Sequence, residues 1–258
     1  MSSGKMRSVI QLGFVSLFLT SLVVADVKET EEFTFDINPG GRISLENING
    51  DISITGIEGD TVNIVAHKKA GKQEYLDELK IVVDADSDYI RIETRHPSNR
   101  NSWFNWGNNH SGSVSFELTV PAGVNLNKIS TVNGDVEIRS MSGKVKAETV
   151  NGDLVASGLV ADVDLETVNG GVNAKFDTLE NGQRVSVEAV NGKIVLELPG
   201  NTSARVHAET INGSIDVDDF GLKTDKGFIG HECHGQIGNG DARISLDTVN
   251  GSIKIIKT

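Results

Sequence analysis

The stretch Thr131-Val132-Asn133-Gly134-Asp135 is the motif on which the chain is built, because copies of it recur along most of the sequence. Copies of its Thr-Val-Asn-Gly core, some with one or two substitutions, occupy 47–50, 149–152, 167–170, 189–192, 210–213 and 248–251. Internal repetition of this kind indicates a fold in which each repeat is one structural unit that stacks on its neighbours.

The spacing of the repeat describes the unit. Asn133, Asn151 and Asn169 are 18 residues apart, and a further glycine, Gly143, divides the first unit in two. Apolar residues alternate with polar ones in each half, as a strand with one buried face requires. Each unit therefore predicts two short strands and two corners.

Two architectures fit these units. The first is a parallel β-solenoid, or single-stranded β-helix, of about 18-residue coils with Asn-Gly at the same corner of every coil. The second is an antiparallel meander or sandwich in which Asn-Gly forms ordinary hairpin turns. We favour the all-β solenoid, because only stacked coils require the same four residues at a fixed spacing.

The solenoid makes three predictions about its corners. The asparagines should form a hydrogen-bonded ladder with successive copies one coil apart, except across an insert at 219–240. The Val or Ile before each Asn should fill the interior, and each Gly should supply a positive φ. The predicted structural corners are Asn49, Gly50, Asn133, Gly134, Asn151, Gly152, Asn169, Gly170, Asn191, Gly192, Asn212, Gly213, Asn250 and Gly251.

The N-terminal 25 residues are typical of a secretory signal peptide. Lys5 and Arg7 precede a mostly apolar run, and Val23-Val24-Ala25 offers small residues for cleavage before Asp26. The run is short of the ~20 apolar residues that a membrane span needs. We therefore expect an exported bacterial protein, periplasmic or extracellular, with no membrane span after signal cleavage.

The remaining chain divides by its regularity. Residues 26–122 form an N-terminal β region with an irregular insert, within which 74–80 predicts one or two helical turns. Residues 123–258 form the regular array, which we expect to be continuous with 26–122 as one domain. The last copy, at 242–258, carries charged residues that could cap the open end of the stack.

Composition narrows the classes of partner. The formal net charge of −12 argues against nucleic acid as a ligand. A single cysteine, Cys233, excludes an internal disulfide framework. The Asp that follows some Asn-Gly pairs does not match calcium-binding glycine-rich repeats. His231, Cys233 and His234 lie close in sequence, but three such residues in four positions rarely make a zinc site, so we predict no metal and no cofactor.

The best candidate for ligand binding is an aromatic cluster in a polar loop. Trp103, Phe104 and Trp106 stand among Asn, Ser and Gly residues. Exposed aromatic side chains stack on sugar rings or peptide groups and contribute strongly to binding. The alternative is that these side chains fold back and plug the solenoid.

The stretch 41–51, the Thr-Val-Asn-Gly copies and the stretch 235–255 resemble a bacterial family of candidate adhesins, which are exported β-strand-repeat domains of unknown function. The resemblance covers nearly all of the chain after the signal peptide. It implies a β-helical fold and brings no catalytic residues with it.

We therefore predict a non-enzymatic, exported structural or binding protein, adhesin-like, whose partner is a protein or glycan at the cell envelope. The chain contains no nucleophile elbow, phosphate loop or His-Glu-x-x-His motif, so no catalytic residue is assigned. One alternative is a carbohydrate-active enzyme on the same scaffold, which would need paired carboxylates on one face. Another is a periplasmic accessory protein of an envelope regulatory system.

Overall fold

The computed structural model of the chain describes residues 26–97, 112–226 and 230–258. The predicted signal peptide and the aromatic cluster Trp103, Phe104 and Trp106 lie outside the described residues. Within these ranges the chain forms 21 β-strands, one short α-helix and one 3₁₀-helix at Asp218–Phe220. The α-helix α1, Gln73–Glu78, overlaps the predicted helical turns at 74–80.

The strands have the following bounds: β1 Val27–Asp36, β2 Arg42–Glu46, β3 Ile52–Ile57, β4 Thr61–Ala70, β5 Lys80–Asp86, β6 Tyr89–Arg95, β7 Gly112–Pro121, β8 Asn125–Asn133, β9 Val136–Arg139, β10 Val145–Asn151, β11 Leu154–Leu159, β12 Val163–Asn169, β13 Val172–Phe176, β14 Arg184–Asn191, β15 Ile194–Leu198, β16 Ala204–Asn212, β17 Ile215–Asp216, β18 Asp225–Lys226, β19 His231–Ile237, β20 Ala242–Asn250 and β21 Ile253–Lys257.

The strands form two sheets. Sheet A has the order β1-β4-β7-β3-β9-β11-β13-β15-β21-β17, and sheet B has the order β18-β19-β16-β20-β14-β12-β10-β8-β2-β6-β5. Each coil places one strand in sheet B, turns at the Asn-Gly corner, and places the next strand in sheet A. The two sheets bury their facing side chains against each other.

The predicted parallel solenoid is confirmed. Neighbouring coils pair in parallel with equivalent residues side by side, as in Val145 with Val163 and Thr149 with Thr167. Antiparallel pairs occur at the ends of the sheets, where β1 and β4 extend sheet A and β5 and β19 extend sheet B. The antiparallel alternative therefore describes only the ends of the stack.

The order of the coils differs from the order of the sequence at the C-terminal end. Strand β20 pairs with β14 on one side and with β16 on the other, so Asn250 lies between Asn191 and Asn212. The prediction that Asn191 and Asn212 are one coil apart is therefore wrong, and so is the capping role of 242–258. Repeat spacing identifies equivalent corners but contains no information on their vertical order.

The end of sheet B is instead covered by the segment that precedes the last coil. Strand β19 pairs antiparallel with β16, and the two-residue strand β18 pairs with β19. Short antiparallel strands of this kind limit further pairing at a sheet edge.

The core runs through the whole stack. Buried apolar side chains from Ile37 to Ile255 form one hydrophobic cluster between the two sheets. Most of them are Ile, Leu and Val, which fit the alternating inner positions of strands. Both predicted sections of the chain, 26–122 and 123–258, contribute to this cluster.

The prediction for the residue before each Asn is wrong. Val150 and Val168 are both 39% exposed, whereas the preceding Thr149 and Thr167 are buried. Alternation along the strand continues through these two residues, so the threonine faces inwards and the valine faces outwards. It stops at the final Asn, which is also exposed. The buried threonine satisfies its hydroxyl by donating it to a backbone carbonyl of the neighbouring coil, as Thr149 does to Gly134 at 3.0 Å.

Close packing, more than backbone conformation, accounts for the corner glycines. A Cβ atom on Gly152 would lie 2.0 Å from the carbonyl oxygen of Gly134, and one on Gly192 would lie 1.6 Å from that of Gly170. Positive φ values occur at some corners, such as Gly50 at 119°, but not at Gly152 or Gly192. The predicted positive φ therefore holds for only part of the set, and the approach of adjacent coils explains the rest.

The asparagines form a continuous ladder beside these glycines. Asn151 donates its Nδ2 to Oδ1 of Asn133 at 2.9 Å, and Asn169 donates to Asn151 at 2.9 Å. Side-chain hydrogen bonds of the same kind join the remaining corners, in the spatial order Asn49, Asn133, Asn151, Asn169, Asn191, Asn250, Asn212. The ladder marks one edge of the outer face of sheet B.

Candidate functional site

The outer face of sheet B carries a column of exposed aliphatic side chains, one from each coil beside the Asn ladder. In spatial order this aliphatic column consists of Ile48, Val132, Val150, Val168, Val190, Val249 and Ile211. Each of these side chains is between 38% and 42% exposed. Stacking the repeat therefore converts one sequence position into a continuous apolar stripe, which is unusual for an outer surface.

A column of carboxylates runs parallel to the aliphatic column, two residues earlier on each strand. This acidic column consists, in spatial order, of Glu93, Glu46, Glu148, Glu166, Glu188, Asp247 and Glu209, with Ser130 between Glu46 and Glu148. The acidic residues follow from the Glu-Thr-Val and Asp-Thr-Val forms of the repeat.

Two lysines neutralise the middle of the acidic column. Lys146 Nζ lies 3.0 Å from Glu166 and also contacts Asp164, while Lys128 Nζ lies 3.1 Å from Glu46 and 3.7 Å from Glu148. Hydrogen bonds to the carboxylates of Asp164 and Glu166 raise the pKa of the Lys146 ammonium. Toward Glu209, at the far end of the acidic column, the carboxylates of the described residues are not paired with lysines in this way.

The uncompensated part of the acidic column consists of Glu188, Asp247 and Glu209. Among the described residues, none of these three carboxylates lies in a salt bridge with a lysine or arginine. Partial burial, together with the neighbouring Glu166 and Asp247, raises the pKa of Glu188. A cationic ligand would relieve this repulsion.

The two columns line one elongated groove. Its volume is 780 Å³, and its walls include Ile48 at one end and Glu209 and Ile211 at the other. It therefore spans the stack from the first Asn-Gly copy to the last in space. No single strand could form it, since it consists of the same two positions taken from successive coils.

A second surface lies next to the groove, at the end of sheet B that β14, β20, β16 and β19 form. Arg184, Arg243 and Arg205 are exposed and stand side by side in register. A concavity of 810 Å³ includes these arginines together with His207 and His234. The outer face here changes from basic to acidic to apolar along the strands.

The structure separates the residues of the His231-Glu-Cys-His234 segment. Cys233 is fully buried and faces the core, and burial raises the pKa of its thiol. His234 faces outwards and meets His207 of the adjacent strand, with their Nδ1 atoms 3.2 Å apart. Closeness in sequence therefore does not bring these side chains together, because alternate strand residues point to opposite faces.

The Asp residues after Asn-Gly have a structural role in the array. Asp135 accepts the backbone N–H of Asp153 at 2.8 Å, and Asp153 accepts that of Gly171 at 2.6 Å. Each such carboxylate therefore links one coil to the next.

The groove was not predicted from the sequence, although its signal was present. The aliphatic residue of each repeat was expected inside, and the carboxylates were not expected to form a column. Strict alternation counted from the buried Thr would have placed both columns on one outer face.

Within the described ranges no helix is both long and apolar enough to span a membrane. Two comparisons with solved structures show what the chain is similar to. A cell-adhesion candidate from Clostridium sporogenes ATCC 15579 is 14% identical and has a TM-score of 0.51, with 89% of this chain and 100% of that one covered. A lipid-binding candidate from Parabacteroides distasonis ATCC 8503 is 11% identical and has a TM-score of 0.26, with 89% and 96% covered.

A comparison with curated proteins finds no match. The model of the Toastrack DUF4097 family matches residues 41–256, and the chain therefore belongs to this family.

Proposed function

We propose that this protein is a non-enzymatic binding module of the cell envelope, and that the groove on sheet B binds a basic, amphipathic helical segment of a polypeptide partner. The observation that carries the proposal is the pairing of the aliphatic column with the acidic column along one groove. The adhesion description of the Clostridium structure, which shares the fold, is consistent with a binding role.

The chemistry of the two columns favours a basic amphipathic ligand. An apolar stripe of seven side chains offers burial, and the unpaired carboxylates Glu188, Asp247 and Glu209 offer partners for lysine or arginine. The described lining contains no aromatic side chain on which a sugar ring could stack. A polypeptide therefore matches the groove better than a glycan does.

The spacing of the groove favours a helix. Coils of a β-solenoid repeat at about 4.8 Å, so the seven side chains of the aliphatic column span roughly 29 Å. An α-helix advances about 5.4 Å per turn, and about 20 residues cover 30 Å. One apolar residue per turn can thus follow one aliphatic residue per coil over most of the groove.

The test uses a labelled amphipathic helix of about 20 leucine and lysine residues. It is titrated with the purified chain that lacks the predicted signal peptide. The double variant Val150→Ser with Val168→Ser should weaken binding by about tenfold or more. Both positions are exposed, so the fold should survive, which circular dichroism checks.

The matched control is Val155→Ser with Val195→Ser on the outer face of sheet A, which should change affinity by less than about twofold. Equal losses in both double variants, or no binding by the wild-type chain, would contradict the proposal. A dimer of the chain that the sheet B variant breaks would assign the face to a second copy instead.

The carbohydrate-active enzyme is the second candidate, because the acidic column does place neighbouring carboxylates on one face. A raised pKa, as at Glu188, is also a property of general acids in glycosidases. A polysaccharide turnover that Glu188→Gln abolishes would favour this candidate over the binding module.

A further inference from the structure

The outer face of sheet B contains a compact grid of metal-ligating side chains where β19, β16 and β20 meet. His234, His207 and Ser245 form one row across the three strands. Glu232, Glu209 and Asp247 form the next row. Backbone register alone therefore brings two imidazoles and three carboxylates together from strands that are distant in sequence.

One geometric observation points to a cation, and a second places another imidazole beside it. His207, Glu209 and Asp247 each offer one ligand atom, and these atoms lie within 4.8 Å of one another. Separately, His207 Nδ1 and His234 Nδ1 are 3.2 Å apart, and their rings stack with centroids separated by 4.4 Å. A proton on one of these two nitrogens accounts for the contact, because two lone pairs at this distance would repel each other.

We propose that this grid is a surface site for a divalent transition metal ion of the zinc class, held by His207, Glu209 and Asp247, with His234 as a fourth donor once its ring turns out of the stack with His207. The inference does not rest on the proposed function, although Glu209 and Asp247 also line the groove, because the two histidines define the site. The sequence predicted no metal because only the segment His231-Glu-Cys-His234 was considered. The proposed site includes His207, which lies 27 residues before His234 in the chain.

The donor set fits zinc chemistry. Two imidazole nitrogens and carboxylate oxygens are its usual ligands, and nitrogens about 2.0–2.1 Å from a tetrahedral zinc lie about 3.3 Å apart. Hard cations such as Mg²⁺ prefer oxygen ligands and should bind poorly here.

The thiol of the sequence cluster is not a member of the site. Cys233 is fully buried and faces the core, between two outward residues of β19. His231 lies on the same side of the strand as Cys233 and therefore points away from the grid. The proposed site thus uses only the outward half of that segment.

The experiment titrates the full exported chain with ZnCl₂ by isothermal calorimetry, with MgCl₂ as the hard-cation comparison. One zinc ion per chain should bind, His207→Ala should weaken binding by about tenfold or more, and Glu209→Gln should also weaken it. Zinc should raise the melting temperature of the wild type but not of His207→Ala, because the ion links three strands.

Two control variants keep the test specific. His67 is a half-exposed histidine 3.5 Å from Glu117, so His67→Ala removes a comparable pair outside the grid and should leave zinc binding unchanged. Cys233→Ala should likewise retain it.

Zinc binding that survives His207→Ala, or that is lost in His67→Ala or Cys233→Ala alone, would overturn the proposal. Absence of zinc binding by the folded wild-type chain would overturn it as well.

Discussion

The outer faces of the two sheets differ, although the same coils form both. On sheet B, one position presents Ile or Val from every coil that has an Asn-Gly corner, and the neighbouring outward position presents mostly carboxylates. On sheet A, the equivalent column reads Glu117, Ser53, Glu137, Val155, Asn173, Val195, Lys254, Asp216. Stacking alone therefore does not require a uniform outer column.

The charges of the two faces differ in the same way. On sheet A, Lys175 pairs with Glu197 at 3.4 Å and Lys254 pairs with Asp216 at 2.8 Å. On sheet B, the carboxylates at the C-terminal end have no such partners among the described residues. Sheet A thus pairs lysines with carboxylates on its outer face, whereas sheet B retains unpaired carboxylates beside an apolar stripe.

The largest loss of stability should come from placing a charge on the inner face of sheet B, compared with the same charge on its outer face. Leu165 is fully buried, so Leu165→Asp places an unpaired carboxylate in the core and should destabilise the fold by several kcal/mol. Val168→Asp, three residues along the same strand, should cost about 1 kcal/mol or less. Urea denaturation of both variants measures the difference, and a reversed order would refute the assignment of faces.

The corner that joins the two sheets should give the next largest effect. Gly152→Ala should destabilise the chain by about 2–3 kcal/mol, because the added methyl group overlaps a carbonyl of the neighbouring coil. A Cβ atom on Gly123 would lie 3.9 Å from its nearest neighbour, the hydroxyl of Ser142, so Gly123→Ala should be nearly neutral. Similar melting temperatures for the two variants would show that the coils can move apart.

The Asn ladder at the edge of sheet B should contribute less. Asn169 donates to Asn151 and accepts from Asn191, both at 2.9 Å, so Asn169→Ala should cost about 1–2 kcal/mol. Asn173 is exposed on the outer face of sheet A, and Asn173→Ala should cost less than about 0.5 kcal/mol. Chemical denaturation at neutral pH measures both, and equal losses would mean that the ladder adds no stability.

The smallest change in stability should come from removing the charge of a single acidic residue, and this change is compared between the outer faces of the two sheets. Burial and neighbouring carboxylates raise the pKa of Glu188, so its ionised form opposes folding at neutral pH. Glu188→Gln should therefore raise stability at pH 7, by less than about 1 kcal/mol because solvent screens an exposed group. The gain should disappear below about pH 4, where Glu188 is protonated in both folded and unfolded chains.

Glu197→Gln on sheet A is the matched variant for that measurement. It removes the carboxylate that pairs with Lys175, so it should not stabilise the chain at pH 7. Melting curves of the two variants, recorded from acidic to neutral pH, would contradict the account of unpaired charge if Glu188→Gln were destabilising throughout.

The repeat was sufficient to predict the architecture, because identical corners at a fixed spacing are expected of stacked coils and not of a meander. It predicted the parallel stacking and the asparagine ladder that joins Asn133, Asn151 and Asn169. It could not predict that Asn250 lies between Asn191 and Asn212, since strand order depends on how the long connection before β20 returns along the stack.

The groove could have been predicted from the sequence, but only with each strand residue assigned to the correct face of its sheet. The expectation that Val150 lies in the core placed the aliphatic position of each repeat on the wrong face. The buried threonine hydroxyl, which donates to a backbone carbonyl, explains why a polar residue occupies the inner position instead. The pairing of His207 with His234 could not be predicted, because it depends on the antiparallel register of β16 and β19.

The proposed binding face is the outer face of sheet B and not that of sheet A. Its most direct test places a photo-crosslinking amino acid at Val168 or at Val155, which are 39% and 40% exposed. Each chain is irradiated with the labelled leucine-lysine helix, and adducts are located by mass spectrometry. We expect adducts from position 168 that excess unlabelled helix prevents, and none from position 155. Equal adducts from both positions, or adducts from position 155 alone, would contradict this expectation.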